Sequence, residues 1–287
     1  MTAPLPTVSR WNTYSRSRYP RLWDGCVGAW CPSLGHTGSR LFDASPYANW
    51  GTITNAASDT VWAVNNGGYC LDLDGTDDRV DCSTLASRIN PLTRGSISLW
   101  VRFDTVAAAQ CMFAMSDSTD ANGWVVFYLN PDGTANNRMY FGIYEGNNLV
   151  ANHPFSGCPD PVIGEWNHYC VTQDGTNAVV TFRGVRYGLS PASGNWFANV
   201  SVANDVSWGD NTRASGRYLR LNGQIDDMRL YDRVLNSEEI RLLARRRAIA
   251  YEPAYRPAYY SETDAGGGGV TSRPYAWQSA RIIGAGR

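Results

Sequence analysis

The chain has 287 residues and a formal net charge of −1 at pH 7. That length suits one large β domain or two smaller ones, and the balanced charge excludes a global attraction to nucleic acid. Only 18% of residues are charged, while 11 Trp, 16 Tyr and 28 Gly point to many strands joined by tight turns rather than to a helical bundle.

Every one of the 25 basic residues is Arg. A GC-rich coding sequence explains this without function; a selection for planar, bidentate contacts at interfaces is the alternative. Seven Cys is an odd number, and without a secretory leader reduced thiols are expected. There is no C-x-x-C, and His36, His153 and His168 lie near no cysteine ladder, so zinc is not expected.

Residues 1–20 are rich in Ser, Arg, Pro and aromatics without periodicity and read as an N-terminal arm. They hold no apolar h-region, which predicts synthesis in a host cytoplasm without a signal peptide. No window approaches the ~18 apolar residues of a membrane span, so no membrane partner is expected. Strands begin at Cys26–Trp30. LFDASPYANWGTITN follows, a loop rich in oxygen donors at Asp43, Ser45, Asn49 and Gly51; the plain role of Asp43 and Asn49 is to satisfy turn amides.

GGYCLDLDGTDDRVDC reads as a hairpin with Asp-Gly turn chemistry, Leu71, Leu73, Val80 and Cys82 facing inward. Cys70 then points away from Cys82, which argues against a disulfide between them. Asp72, Asp74, Asp77 and Asp78 crowd the turn, as turn-forming carboxylates or as a cation site. SISLWVRF alternates: Ile97, Leu99, Val101 and Phe103 face one way, Ser98, Trp100 and Arg102 the other. Trp100 is expected under a covering segment or on a concave surface.

CMFAMSD, GWVVFYLN, MYFGIYEG and NLVANHPF are further short strands, with turns about every 8–12 residues. GEWNHYCVTQDGTNAVVTFRGVRYG adds two more, with His168 read as a packed histidine. The polar stretch 189–217 carries Trp196 and Trp208. With Trp124, these lie near predicted loops and are the candidates for stacking on sugar rings; burial in a core or interface is the commoner fate of such residues.

GQIDDMRLYDRVLNSEEIRLL, from Gly223 to Leu243, reads as a last core strand, a turn and a short helix. Asn236 and Glu239 form a capping box, and Leu235 and Ile240 a hydrophobic staple. Arg245, Arg246 and Arg247 suit a helix C-terminus or an acidic partner. Residues 251–287 then alternate Ala-Tyr with Pro, pass through four glycines and end near Ile282-Ile283. They read as an extended C-terminal arm without its own core, with Tyr255, Tyr259, Tyr260, Tyr275, Trp277, Ile282 and Ile283 as candidate partner contacts.

Four of these stretches, in this order, resemble one family. They are Leu71 to Val80, the SISLWV strand, the Trp166-x-His168-x-Cys170 strand with its Asp-Gly turn, and the G-x-I-D-D stretch from Gly223. Together they resemble LamG-like, concanavalin A-type jelly-roll domains. The resemblance implies an all-β, antiparallel two-sheet jelly-roll sandwich over residues 21–250, with one short C-terminal helix and extended terminal arms. It also implies a candidate Ca²⁺ site from Asp43, carbonyls around Asn49, and Asp226 or Asp227, since Ca²⁺ takes roughly 6–8 oxygen ligands.

The E-x-D-x-x-E spacing of related glucanases is absent, as are a P-loop, G-x-S-x-G and H-E-x-x-H. A non-enzymatic role is therefore expected. The arms, the all-Arg basic set and the missing leader resemble structural proteins of tailed phages. The expected role is a virion component, such as a head decoration protein, that contacts capsid or tail proteins and its own copies and binds surface glycan. The alternative is a stand-alone carbohydrate-binding or adhesion module.

Overall fold

The computed structural model describes residues 17–54, 61–65, 68–120, 123–136, 138–145 and 148–253. The arm residues Tyr255, Tyr259, Tyr260, Tyr275, Trp277, Ile282 and Ile283 lie outside them. Alternation dictates most of what forms. In chain order the strands are β1 (Cys26–Trp30), β2 (Arg40–Leu41), β3 (Gly51–Thr54), β4 (Trp62–Asn65), β5 (Gly68–Asp74), β6 (Arg79–Asp81), β7 (Gly95–Phe103), β8 (Gln110–Ser116) and β9 (Trp124–Leu129). They continue as β10 (Met139–Glu145), β11 (Asn148–Pro154), β12 (Trp166–Gln173), β13 (Ala178–Phe182), β14 (Val185–Gly188), β15 (Asp205–Trp208), β16 (Asn211–Arg213), β17 (Gly216–Tyr218) and β18 (Asn222–Tyr231). The α-helices are α1 (Ala86–Ile89) and α2 (Ser237–Leu243).

Two antiparallel sheets form a sandwich. The first runs β14-β13-β12-β7-β18-β5-β4, with β1 also paired to β18; the second runs β11-β10-β9-β8-β15-β6-β3-β2. Strands β16 and β17 pair as a separate ribbon. The expected inward sets fill the space between the sheets. Ile97, Leu99, Val101 and Phe103 come from the first sheet and Phe113, Phe127 and Phe141 from the second, all fully buried. All seven cysteines are buried free thiols. Among the described residues no helix is long and apolar enough to cross a membrane.

One expectation fails. The stretch Leu71–Val80 is not a paired hairpin: β5 belongs to the first sheet and β6 to the second. The Asp-Gly turn crosses the edge of the sandwich. Leu71, Leu73, Val80 and Cys82 do all face the core, but from opposite sheets. An alternating pattern is the same whether two strands share hydrogen bonds or face one another across a core.

Helix α2 and both ends of the described chain cover the outer face of the first sheet. Asn236 Oδ1 accepts from the Glu238 and Glu239 amides, each at 3.0 Å, and Glu239 returns a bond to the Asn236 amide at 2.9 Å. This capping box starts α2 where the sequence places it. Ile240 and Leu243 then pack with Leu22, Trp23, Cys170 and Tyr231. Trp100 lies beneath this cover and donates to the Leu243 carbonyl at 3.2 Å. His168 is buried against Ser98 Oγ at 2.9 Å. The two ends of the described residues meet: Ser17 bridges Pro253, and the Arg18 amide donates to the Glu252 carbonyl at 2.7 Å.

Candidate functional site

The outer face of the second sheet carries a strip of aromatic side chains. Along β9, Val125, Phe127 and Leu129 point into the core, so Trp124, Val126 and Tyr128 point out; along β10, Tyr140 and Tyr144 do the same. Register places Tyr144 opposite Trp124 and Tyr140 opposite Tyr128. The first pair stacks at 5.5 Å between centroids with 13° between planes, and the second lies at 5.6 Å. Gly142 separates the two tyrosines. A Cβ there would come 2.9 Å from Trp124 Cζ3 and 3.0 Å from Asn152 Oδ1, so only glycine leaves the indole its place. Tyr128 donates to Asn152 Oδ1 at 2.9 Å, and burial pushes its phenol up to about 12.

The β16–β17 ribbon folds over this strip. The Arg213 guanidinium sits 4.5 Å from the Trp124 ring centroid and 4.8 Å from that of Tyr218, which stays exposed. Beside the aromatics lies a polar cluster. Arg79 on β6 donates to Asp205 at 3.0 Å, Asp81 at 2.9 Å and Thr212 Oγ1 at 2.9 Å, with Asp210 at 3.8 Å. Burial pushes the Asp210 carboxyl up to about 6 against the pull of Arg79. Asn211 is fully buried there, and neither atom of its amide has a partner among the described residues. Most of these groups are buried: Trp124 and Tyr128 are each 8% exposed, Arg79 7%, Asp210 1% and Asn211 0%, so Tyr140, Tyr144 and Tyr218 are the rings of this face that reach solvent.

Of the tryptophans expected to stack on sugar, Trp124 lies on this side of the sheet but is only 8% exposed, packed against Tyr144 and Arg213. Trp196 and Trp208 do not lie there, which corrects the expectation. Both are 0% exposed: Trp196 stacks on Phe141 at 5.1 Å, and Trp208 packs on Phe113 at 5.0 Å and Trp30 at 5.9 Å. The polar segment around them hid two core anchors. Tyr140, Tyr144, Arg213 and Tyr218 escaped the sequence reading. The alternation of MYFGIYE contained the two tyrosines, but nothing local shows that their side escapes the core.

The expected calcium set is also corrected. Asp43 is buried and its carboxylate is ringed by donors. Oδ1 accepts from the Ala29 and Ser45 amides at 2.8 Å each; Oδ2 accepts from Ser45 Oγ and the Asn49 amide at 2.7 Å each. The Asn49 carbonyl accepts from Trp30 Nε1 at 2.8 Å. Asp226 accepts from Ser33 and the Asp227 amide and pairs with Arg247 at 3.2 Å; Asp227 takes Arg229 Nε at 2.8 Å and the Ala248 amide at 2.9 Å. Lone pairs that a cation would need are spent on N–H and O–H groups, and the two Arg already supply positive charge. These residues lock the loops onto β1 and β18.

A different group fits a cation. Asp74, Asp77 and Asp78, in the turn joining β5 to β6, bring carboxylate oxygens within 4.8 Å of one another. Asp78 is buried; its Oδ2 accepts from the Asp74 amide at 2.9 Å, while Oδ1 has no partner among the described residues. Burial, with neighbouring carboxylates adding, pushes the Asp78 carboxyl up to about 6. Divalent binding would relieve both strains.

The sandwich and its capped closing helix define a lectin-type β-sandwich. The family model of the concanavalin A-like lectin/glucanases superfamily matches residues 74–241, more than half of the chain, and the protein belongs to that superfamily. No curated protein matches it. Among solved structures it is similar to domain 4 of AbnA, an extracellular GH43 arabinanase from Geobacillus stearothermophilus, in complex with arabinotriose. Identity is 19%, covering 77% of this chain and 98% of that one, with a TM-score of 0.56. It is also similar to the CBM40 of the Ruminococcus gnavus IT-sialidase bound to α2,6-sialyllactose. There identity is 17%, covering 61% of this chain and 96% of that one, with a TM-score of 0.51. At such identities the likeness is one of fold.

Proposed function

We propose that this protein is a non-enzymatic, glycan-binding sandwich displayed on a viral particle, as a decoration or other surface protein of a tailed-phage virion. The observation that carries the reading is the pair of partly exposed rings Tyr140 and Tyr144 on the outer face of the second sheet, backed by the buried Trp124. Ser17 and Pro253, where the described residues begin and end, meet on the outer side of the first sheet, so arms attached there would anchor the body with the strip facing away. The arabinotriose and sialyllactose complexes of similar folds favour a saccharide ligand. Asp81, Asp205 and Asp210 are gathered on Arg79, a pairing that suits binding rather than acid–base work at a glycosidic bond.

In this reading calcium is taken at Asp74, Asp77 and Asp78. A glycan array run with and without EDTA tests the binding function; silence on every glycan in both conditions would sink it. Co-sedimentation with particles tests the location. The chain lacking residues 254–287 should stay folded and fail to incorporate. A protein that binds glycan but never sediments with particles is instead a stand-alone carbohydrate-binding or adhesion module using the same face.

A further inference from the structure

We propose that a second site, on the opposite side of the sandwich from the aromatic strip, binds an acidic saccharide, with Arg183, Arg186, Arg241 and Arg245 holding its carboxylate or sulfate groups. The site is the cleft between α2 and the β13–β14 hairpin, with a volume of about 790 Å³. That lies in the range of small-ligand sites, roughly 300–1,000 Å³. It exists because α2 covers the middle of the first sheet and stops short of its β13–β14 edge. His168 and Thr181 lie at the sheet side, and Ile240 and Ala244 form an apolar wall.

Four arginines converge on this cleft from two separate elements. Arg183 reaches Glu165 at 3.3 Å. For Arg186, Arg241 and Arg245, no carboxylate lies within ion-pair distance among the described residues, although Glu238 shares the cleft. The dipole of α2 accounts for cations at its C-terminal end. It does not account for the pair brought in by the hairpin, Arg183 and Arg186.

Two further observations point to a ligand. Arg183 opens the two-residue turn Arg183-Gly184 with φ of 50° and 79°, a turn that Asn, Asp or Gly enters more easily. An arginine is held there against its backbone preference. Thr181, 8% exposed, lines the cleft, and its buried Oγ1 has no partner among the described residues. His168 is neutral at physiological pH, since burial holds it down at about 3, so it offers hydrogen bonding and no charge. Guanidinium forks suit carboxylate and sulfate, the apolar wall suits a sugar ring, and the concave, small-ligand size disfavours a flat protein epitope. A neutral sugar would leave the charges of Arg186, Arg241 and Arg245 unused.

Isothermal titration of the full chain tests this. The probes are a heparin-derived hexasaccharide and tri-galacturonate, with maltotriose, inorganic sulfate and a mononucleotide as controls. At least one acidic probe should bind, more weakly as salt rises. The exposed pair Arg241→Glu/Arg245→Glu, and separately Arg186→Glu, should each lower its affinity by at least about tenfold, with circular dichroism unchanged. Tyr144→Ala, on the other face, should leave it unaltered, so failure of this site and failure of the aromatic site are distinguishable. The proposal is overturned if neither acidic probe binds or if the arginine variants bind as well as wild type. It is equally overturned if Tyr144→Ala removes the binding, or if sulfate or the nucleotide binds as tightly as the saccharide.

Discussion

Replacing Asp227 with Asn should cost about 3–5 kcal/mol of folding stability, the usual consequence of stranding one charge of a buried pair. Arg229 is fully buried on β18. Its guanidinium lies 4.8 Å from the Trp23 ring centroid and 4.9 Å from that of Tyr251, and its Nε donates to Asp227 at 2.8 Å. Trp23 and Tyr251 lie near the two ends of the described residues and meet edge to face at 5.1 Å, so one cation clamps both segments to the body. Asp227 sits at φ 46°, a conformation Asn adopts readily, so the backbone adds nothing to the cost. Arg229→Met alone loses two cation–π contacts, each about 0.5–2 kcal/mol, and strands Asp227. The double variant removes both charges and should be more stable than the sum of the single losses predicts, by about 1–3 kcal/mol. Urea unfolding followed by tryptophan fluorescence measures all three. In the same variants, limited proteolysis should begin to cut within residues 17–23 or 249–253. Asp227→Asn within about 1 kcal/mol of wild type, or strictly additive losses, would refute the reasoning.

Tyr144→Ala should weaken binding of any glycan found on the array by up to about tenfold, since an aromatic stacking contact is worth roughly 0.5–1.5 kcal/mol, and unchanged affinity would remove Tyr144 from the site. Acidification should act through His168: the folded pKa is about 3 and the ordinary one ~6.5, so between them the unfolded chain takes up a proton that the folded one refuses. Stability from this residue is present above ~6.5 and lost as pH falls, by about 2 kcal/mol between pH 7 and pH 5. Asp78, Asp210 and Asp226, each pushed up to about 6, act in the opposite sense, so the reading is the difference between wild type and His168→Gln in urea titrations at the two pH values. If that difference does not change with pH, the buried neutral imidazole is wrong. Calcium should raise the melting temperature of wild type and not that of Asp78→Asn, whereas Asp43→Asn should lower stability equally with calcium or EDTA; an intact calcium response in Asp78→Asn would exclude the acidic turn.

Much of the architecture was legible because it is written in short-range patterns. The inward set Ile97, Leu99, Val101 and Phe103 follows from the period of two in a strand, and the start of α2 follows from Asn236 and Glu239 three residues apart. Both depend only on neighbours along the chain, so a single sequence suffices. So does the reading of His168 as a packed histidine, since its strand alternates cleanly.

What only the tertiary structure decided concerns which strand meets which. Alternation marks two faces without saying whether the opposite strand is bonded at the edge or packed across the core, and so β5 and β6 read as a hairpin although they lie in different sheets. Trp196 and Trp208 sit in a polar, turn-rich stretch, yet long-range packing against Phe141 and Phe113 buries them. Register pairs Trp124 with Tyr144 on the outer side of the second sheet, yet Arg213 from the β16–β17 ribbon covers the indole and leaves it 8% exposed. Asp43 satisfies Ser45 and Asn49 in its own loop, as the turn pattern suggests, but its bond from Ala29 and the bond of Asp226 from Ser33 come from elements that folding brings near. Burial is a property of non-local contacts, and no local pattern encodes them.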